Sequence, residues 1–275
     1  MSARTARAAL ALVLALLLTP PARAQDAPLW EFGLGATVLR FPDYPGSDQS
    51  RDLVLPLPYF IYRGDFLRSD RNGVRGVLLD TDHIDLNLSF AASPPLSSSD
   101  SDARAGMPDL KGSLEVGPSI DWIAWRGQDR GSRLTLSLPV RGAFTIEAPP
   151  RFIGFDATPK ANLDVTDPLQ AAGWNLGLQA GLLFADRRQD AYYYSVAPVY
   201  ATAARPAYAA PGGYGGWQFT TALSRRFTDY WFGAFVRYDS LAGAVVEDSP
   251  LVRRGHGLYA GIGLARMIGE SARRV

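Results

Sequence analysis

Residues 216–239 read GWQFTTALSRRFTDYWFGAFVRYD, and their side chains alternate in character. Trp217, Phe219, Thr221 and Leu223 interleave with Gln218, Thr220 and Ser224; beyond Thr228 and Asp229, Phe232, Ala234, Val236 and Tyr238 interleave with Gly233 and Arg237. Period two marks a strand, because successive strand side chains point to opposite faces. Two such arms across a very short turn form a β-hairpin with one apolar face and one face of Gln, Thr, Ser, Gly and Arg. Each arm is about ten residues long with aromatics near its ends, the length and decoration of a tilted strand that crosses a bilayer.

The unit recurs along the chain. Trp30, Phe32, Leu34, Ala36 and Val38 oppose Glu31, Gly33, Gly35 and Thr37; Ile84, Leu86, Leu88 and Phe90 oppose His83, Asp85, Asn87 and Ser89. Leu114, Val116, Ile120 and Trp122, then Leu134, Leu136, Leu138 and Val140, then Trp174, Leu176, Leu178, Ala180, Leu182 and Phe184, and last Leu258, Ala260, Ile262 and Leu264 follow the same rule. In the stretch Asp52 to Tyr62 the pattern places Leu53, Leu55, Leu57, Tyr59 and Ile61 outward, with Pro56 and Pro58 on the other parity and a bulge absorbing their missing ladder donors. Asp65 to Ser69 and Val74 to Asp80 flank the tight-turn pair Asn72-Gly73. A further strand is expected at Tyr192, Tyr194 and Val196.

Connections alternate in length. Segments 41–51, 92–112, 145–172, 200–215 and 241–255 are long, whereas those near 63, 81, 126–131, 186–190 and 228–229 are short, and segment 92–112 has the polar composition of an exposed, mobile loop. The fold predicted is all-β: a transmembrane antiparallel β-barrel of about 12 strands, with short periplasmic turns and long extracellular loops. A soluble lipocalin-like barrel also alternates, but with its apolar residues inward. Gly-rich polar faces, aromatics near strand ends and sorted loop lengths favour the membrane form.

Past residue 24 no apolar run approaches the ~18 residues a spanning helix needs, so a membrane form must be a closed barrel. Residues 1–24 read as a secretory leader: Arg4 and Arg7, the apolar run Ala8 to Leu18, and Ala22-Arg23-Ala24 ahead of cleavage before Gln25. Residues 25–275 are then the barrel domain, expected in the cell outer membrane against its lipid. There is no cysteine, which argues against a disulfide-stapled domain and removes any lipid-attachment site. Removing Arg4, Arg7 and Arg23 from the 28 basic residues leaves 25 against 27 acidic ones, so nucleic acid is not an expected partner.

His83 and His256 are the only histidines. At opposite ends of a barrel they stand about a membrane thickness apart, ~30 Å, and cannot share a site. A hydrolase would need His256 beside Ser240 or Ser249, since His83 cannot reach Ser89 along one strand; a solvated rim histidine is the ordinary reading. Glu31, Asp85, Glu115 and Asp121 share the inward parity with Arg133, Arg141 and Arg237, which fits a lattice of ion pairs filling the barrel better than a catalytic carboxylate pair. Gly-x-Gly at 33–35 and 261–263 lies within strands and lacks the following helix of a nucleotide site. Asp100, Asp102 and Asp109 could hold a divalent cation, but a solvated acidic loop is the simpler account. No catalytic residue, cofactor or metal site is assigned.

The stretches RPAYAAPGGYGG (205–216), RYDSLAGAVVEDSPLV (237–252), GLGATVLRFPDYPGS (33–47) and PLPYFIYRGDFLRSDRNGVRG (56–76) resemble the MipA/OmpV family, the MltA-interacting proteins of Gram-negative outer membranes. The resemblance implies an outer-membrane barrel and, for the best-known members, a scaffold joining a lytic transglycosylase to a bifunctional murein synthase. Turns such as Arg126 to Gly131 and Asp186 to Asp190 would then touch the murein enzymes. Other members look like adhesins or permeability and antibiotic-response proteins, and a narrow channel or, less so, an outer-membrane hydrolase are the competing classes. The family has no catalytic motif to carry over. Many outer-membrane barrels end on an aromatic residue, whereas here the polar tail Gly269 to Val275 follows Ile268.

Overall fold

The computed structural model describes residues 28–63, 67–70, 73–81, 83–128 and 131–273. The leader with its expected cleavage site, and Asn72 of the expected tight turn, lie outside the described residues. The strands are β1 (Trp30–Pro42), β2 (Ser50–Arg63), β3 (Leu67–Asp70), β4 (Gly73–Asp80), β5 (Ile84–Ser93), β6 (Ser113–Arg126), β7 (Ser132–Thr145), β8 (Phe152–Ala157), β9 (Lys160–Thr166), β10 (Trp174–Ala185), β11 (Gly213–Arg226), β12 (Tyr230–Ser240) and β13 (His256–Glu270). Among the described residues one α-helix, α1 (Arg187–Tyr194), lies between β10 and β11.

Strands pair antiparallel with their sequence neighbours, β13 pairs with β1, and β10 pairs with β11, so the order of pairings runs back to its start. β8 and β9 succeed one another in the same place: both pair with β7 on one side and β10 on the other. The wall is not of even height. Among the described residues β2 joins β3 only at Tyr62↔Ser69 and Arg63↔Arg68.

Side-chain placement follows the alternation for most of the wall. Leu34, Val38, Ile120, Leu138, Val236 and Ile262 are exposed on the outer face, and Asn87, Glu115, Ser119, Ser137, Gln218 and Asp239 are buried on the inner one. Aromatic pairs mark both ends of the outer face, Trp217–Tyr238 and Phe184–Tyr214 at one end and Trp174–Phe232 at the other. Rings at the two ends and aliphatics between them form the band expected of a wall in hydrocarbon.

Three expectations need correction. Segment 145–172 is not one loop, because β8 and β9 run through it. Tyr192 and Tyr194 belong to a helix and not to a strand: the Asp186 carboxylate accepts from the Gln189 N–H, an N-cap that starts α1 where an alternating reading saw a turn. β2 faces the other way from its predicted setting. Its register pairs Leu53, Leu55, Leu57, Tyr59 and Ile61 with Leu39, Thr37, Gly35, Gly33 and Glu31, all on the inner face, and its pairing with β1 is continuous with no bulge. Pro56 and Pro58 instead point outward, in a strand whose other edge carries no ladder at their level among the described residues; proline is tolerated at such edges because no donor is missed.

Candidate functional site

The buried apolar cluster lies outside the wall. Tyr44, Leu96, Leu110, Tyr194, Val196, Ala210, Leu241, Ala244, Val246 and Leu251 form it, and all ten sit in four connections: 43–49, 94–112, 186–212 and 241–255. These segments leave the same end of the wall and pack into one cap. Tyr44 donates its hydroxyl to the Leu251 carbonyl at 2.8 Å, Ser249 to the Tyr194 carbonyl at 2.7 Å, and the Arg205 guanidinium to the Ala103 carbonyl at 2.9 Å. Arg104 is buried, donates to the Tyr193 and Pro108 carbonyls, and stands over the Tyr44 ring at 5.9 Å. The loop read as exposed and mobile from its composition is thus held on several sides.

Burial shapes the chemistry of the cap. It pushes the Tyr44 hydroxyl up to about 12 and lowers the pKa of the Arg104 guanidinium. Asp190, in α1, is 4% exposed with one carboxylate oxygen unpartnered, and burial, with the nearby Asp186 charge adding to it, pushes its carboxyl up to about 7. The start of α1 rests on β8 at Gly154, where a Cβ would stand 2.3 Å from Asp186 Oδ1, and whose φ of +131° is glycine's own territory.

Beneath the cap the lumen is crossed by charge. Arg141 stands 3.5 Å from Glu115 and 2.7 Å from Asp156, and also donates to Ser89 and Thr158. Arg237 pairs with Asp239 and covers the Tyr259 ring at 4.4 Å. Nearer the opposite end, Arg226 pairs with Glu31 at 3.0 Å and Arg133 approaches Asp164 at 3.9 Å. Of the inward charges picked out by parity, Glu31, Glu115, Arg133, Arg141 and Arg237 do enter ion pairs, while Asp121 accepts from Asn87 and Ser119 instead. Parity alone missed Asp156, Asp164 and Arg226: the first two lie in the segment read as a loop, and the third stands at a strand end.

Among the described residues neither histidine side chain hydrogen-bonds a serine. His83 is exposed at the short-turn end, and His256 stacks on Tyr238 at 5.9 Å. Ser240, the cross-strand partner of His256, accepts from the Ala242 N–H, and Ser249 is committed to Tyr194. Asp109 accepts from the Ser98 N–H and lies 3.9 Å from Lys111, and among the described residues no group of three or more His, Asp or Glu side chains could hold a metal ion. The turn expected at Asp186 to Asp190 lies at the cap end: the Asp186 N–H donates to the Phe155 carbonyl of β8. It is therefore far from the Arg126 to Gly131 turn with which it was grouped.

The family model described as MltA-interacting protein MipA matches residues 34–268. No curated protein matches the chain. Among solved structures the chain is similar to outer membrane phospholipase A from Escherichia coli, with 11% identity and a TM-score of 0.36 over 94% of this chain and 97% of that one. It is similar to the CymD monoaromatic hydrocarbon channel, with 9% identity and a TM-score of 0.36 over 90% of each chain. It is also similar to the Pseudomonas putida toluene transporter TodX, with 12% identity and a TM-score of 0.27 over 94% of this chain and 72% of that one.

Proposed function

Because the chain belongs to the MltA-interacting protein MipA family, we propose that it is an outer-membrane barrel, capped on its external side, that serves as a scaffold for murein-remodelling enzymes. Its partners on this reading are a lytic transglycosylase and a bifunctional murein synthase in the periplasm. The observation that carries the reading is the cap: four connections share one buried apolar cluster at the long-loop end, which suits a platform better than an open pore. The surface offered to periplasmic partners is then the opposite end, with the connections at 81–83, 127–131, 167–173 and 227–229. Asp186 to Asp190 drops out of that surface.

A tagged copy extracted in mild detergent is expected to retain a lytic transglycosylase above the level of an unrelated barrel. Replacing 167–173 or 227–229 with Gly-Ser sequence reduces the retention, and replacing 186–190 does not. Retention no better than the unrelated barrel's would end the scaffold reading. Planar-bilayer recording is expected to be silent, and steady conductance would favour a channel.

A further inference from the structure

The inversion of β2 makes the lumen two-sided. On the arc β12–β13–β1–β2 the inner face carries Leu39, Leu53, Leu55, Leu57 and Phe235 above a glycine floor. A Cβ on Gly261 would stand 2.4 Å from a Phe235 ring carbon and 2.8 Å from Leu39 Cδ2, and one on Gly263 would stand 2.9 Å from Leu57 Cδ2. These side chains lie flat against backbone and line the lumen. Leu55 points inward and is still 39% exposed, so open space lies before it.

The facing arc is different. Six pairings separate β9 from β2 in either direction, through β10, β11, β12, β13 and β1 or through β7, β6, β5, β4 and β3. On β9, Lys160 shares the inner face with Ser137, and its ammonium makes no hydrogen bond or ion pair among the described residues, the nearby charges being Arg141 and Asp121. Beside it Gln218 donates to Gln179, Gln179 to Asn162 and Asn162 to Ser137, a relay of neutral polar groups across four strands.

We propose that this lumen binds a single-chain amphiphilic anion, its aliphatic body against Leu53, Leu55 and Leu57 and its head at Lys160. Apolar surface left facing water costs about 25 cal/mol per Å², and an aliphatic chain covering the leucine arc removes that cost. An ammonium without a partner among the described residues, set beside neutral polar groups, supplies the complementary charge. An anion with a tail satisfies both arcs. The proposal does not depend on the scaffold reading.

The test is a fluorescence titration of the full-length protein, purified from membranes in nonionic detergent, with 11-(dansylamino)undecanoate. Saturable enhancement at one probe per chain is expected. Leu55→Ser with Leu57→Ser weakens it by about tenfold or more, and Lys160→Gln weakens it by about tenfold while leaving the methyl ester of the probe unaffected. Outward Val54→Ser changes nothing. Heat-modifiable migration checks the fold of each variant, and should the leucine variants fail it, the acid-against-ester comparison in Lys160→Gln decides alone. Enhancement equal to that of protein-free micelles, equal weakening of acid and ester, or a loss on Val54→Ser as large as on the leucine variants would overturn the proposal.

Discussion

The cap and the wall of this protein are built on opposite rules. Over most of the wall outside the β1–β2 arc, leucines, isoleucines and valines face out while Glu115, Arg141 and Asp156 are enclosed; in the cap, Leu96, Val246 and Leu251 are enclosed. The difference is one of solvent: the wall meets hydrocarbon and must satisfy its backbone by strand pairing, whereas the cap meets water and folds like a small soluble core. Identical residue types thus have opposite meanings a few residues apart along the chain.

The contrast breaks most severely at Arg141. Arg141→Met leaves Glu115 and Asp156 enclosed without their shared cation, a change that costs about 3–5 kcal/mol when one member of a buried ion group is removed. Urea unfolding of the protein in lipid vesicles should show that loss in the wall. Leu251→Ala tests the other side. It opens a cavity in the cap worth about 2–5 kcal/mol, and limited proteolysis should find cuts in 186–212 and 241–255 while heat-modifiable migration of the wall stays the same.

A smaller effect separates the two regions by pH. Asp190 is enclosed in its neutral form, with its carboxyl pushed up to about 7 and the groups around it being Asp186, Tyr194 and Tyr208. Its folded value lies above its unfolded one, so the stability it contributes is full below the unfolded carboxylate range and is lost as pH rises through about 7. Proteolysis of the cap is expected to be faster at pH 8 than at pH 6, and Asp190→Asn should flatten that dependence. Unequal rates that persist in the variant would assign the effect to another group.

Alternation made the outer face of β5, β6, β7, β10, β11, β12 and β13 legible, because in each of these strands apolar residues dominate one parity, although Trp231 and Phe235 of β12 stand on the inner one. β2 defeated it: Leu53, Leu55 and Leu57 are apolar on one parity, and Val54, Pro56, Pro58 and Phe60 on the other, so the pattern had no sign and only the register against β1 fixes it. The helix α1 was missed because Tyr192, Tyr194 and Val196 imitate period two, although Asp186 with Gln189 three residues on carries an N-cap signal. β8 and β9 were missed because Thr158 and Pro159 divide one path into two short runs. Two short strands were missed and one was invented, so the expected count of about 12 moved by only one and could not have exposed either error. Of the site, the inward charges were readable from parity, but the cap was not, since contacts among four separate loops leave no local period.

The most direct test uses the absence of cysteine from the chain. Single cysteines at Val54, Leu55, Gln218 and Phe219, each spin-labelled in lipid vesicles, report collisions with oxygen dissolved in hydrocarbon or with a water-soluble nickel chelate. Labels at 54 and 219 are predicted to respond to oxygen and those at 55 and 218 to the chelate. Oxygen response at 55 and 218 with chelate response at 54 and 219, or no difference between neighbours, would contradict a wall with hydrocarbon outside and water within.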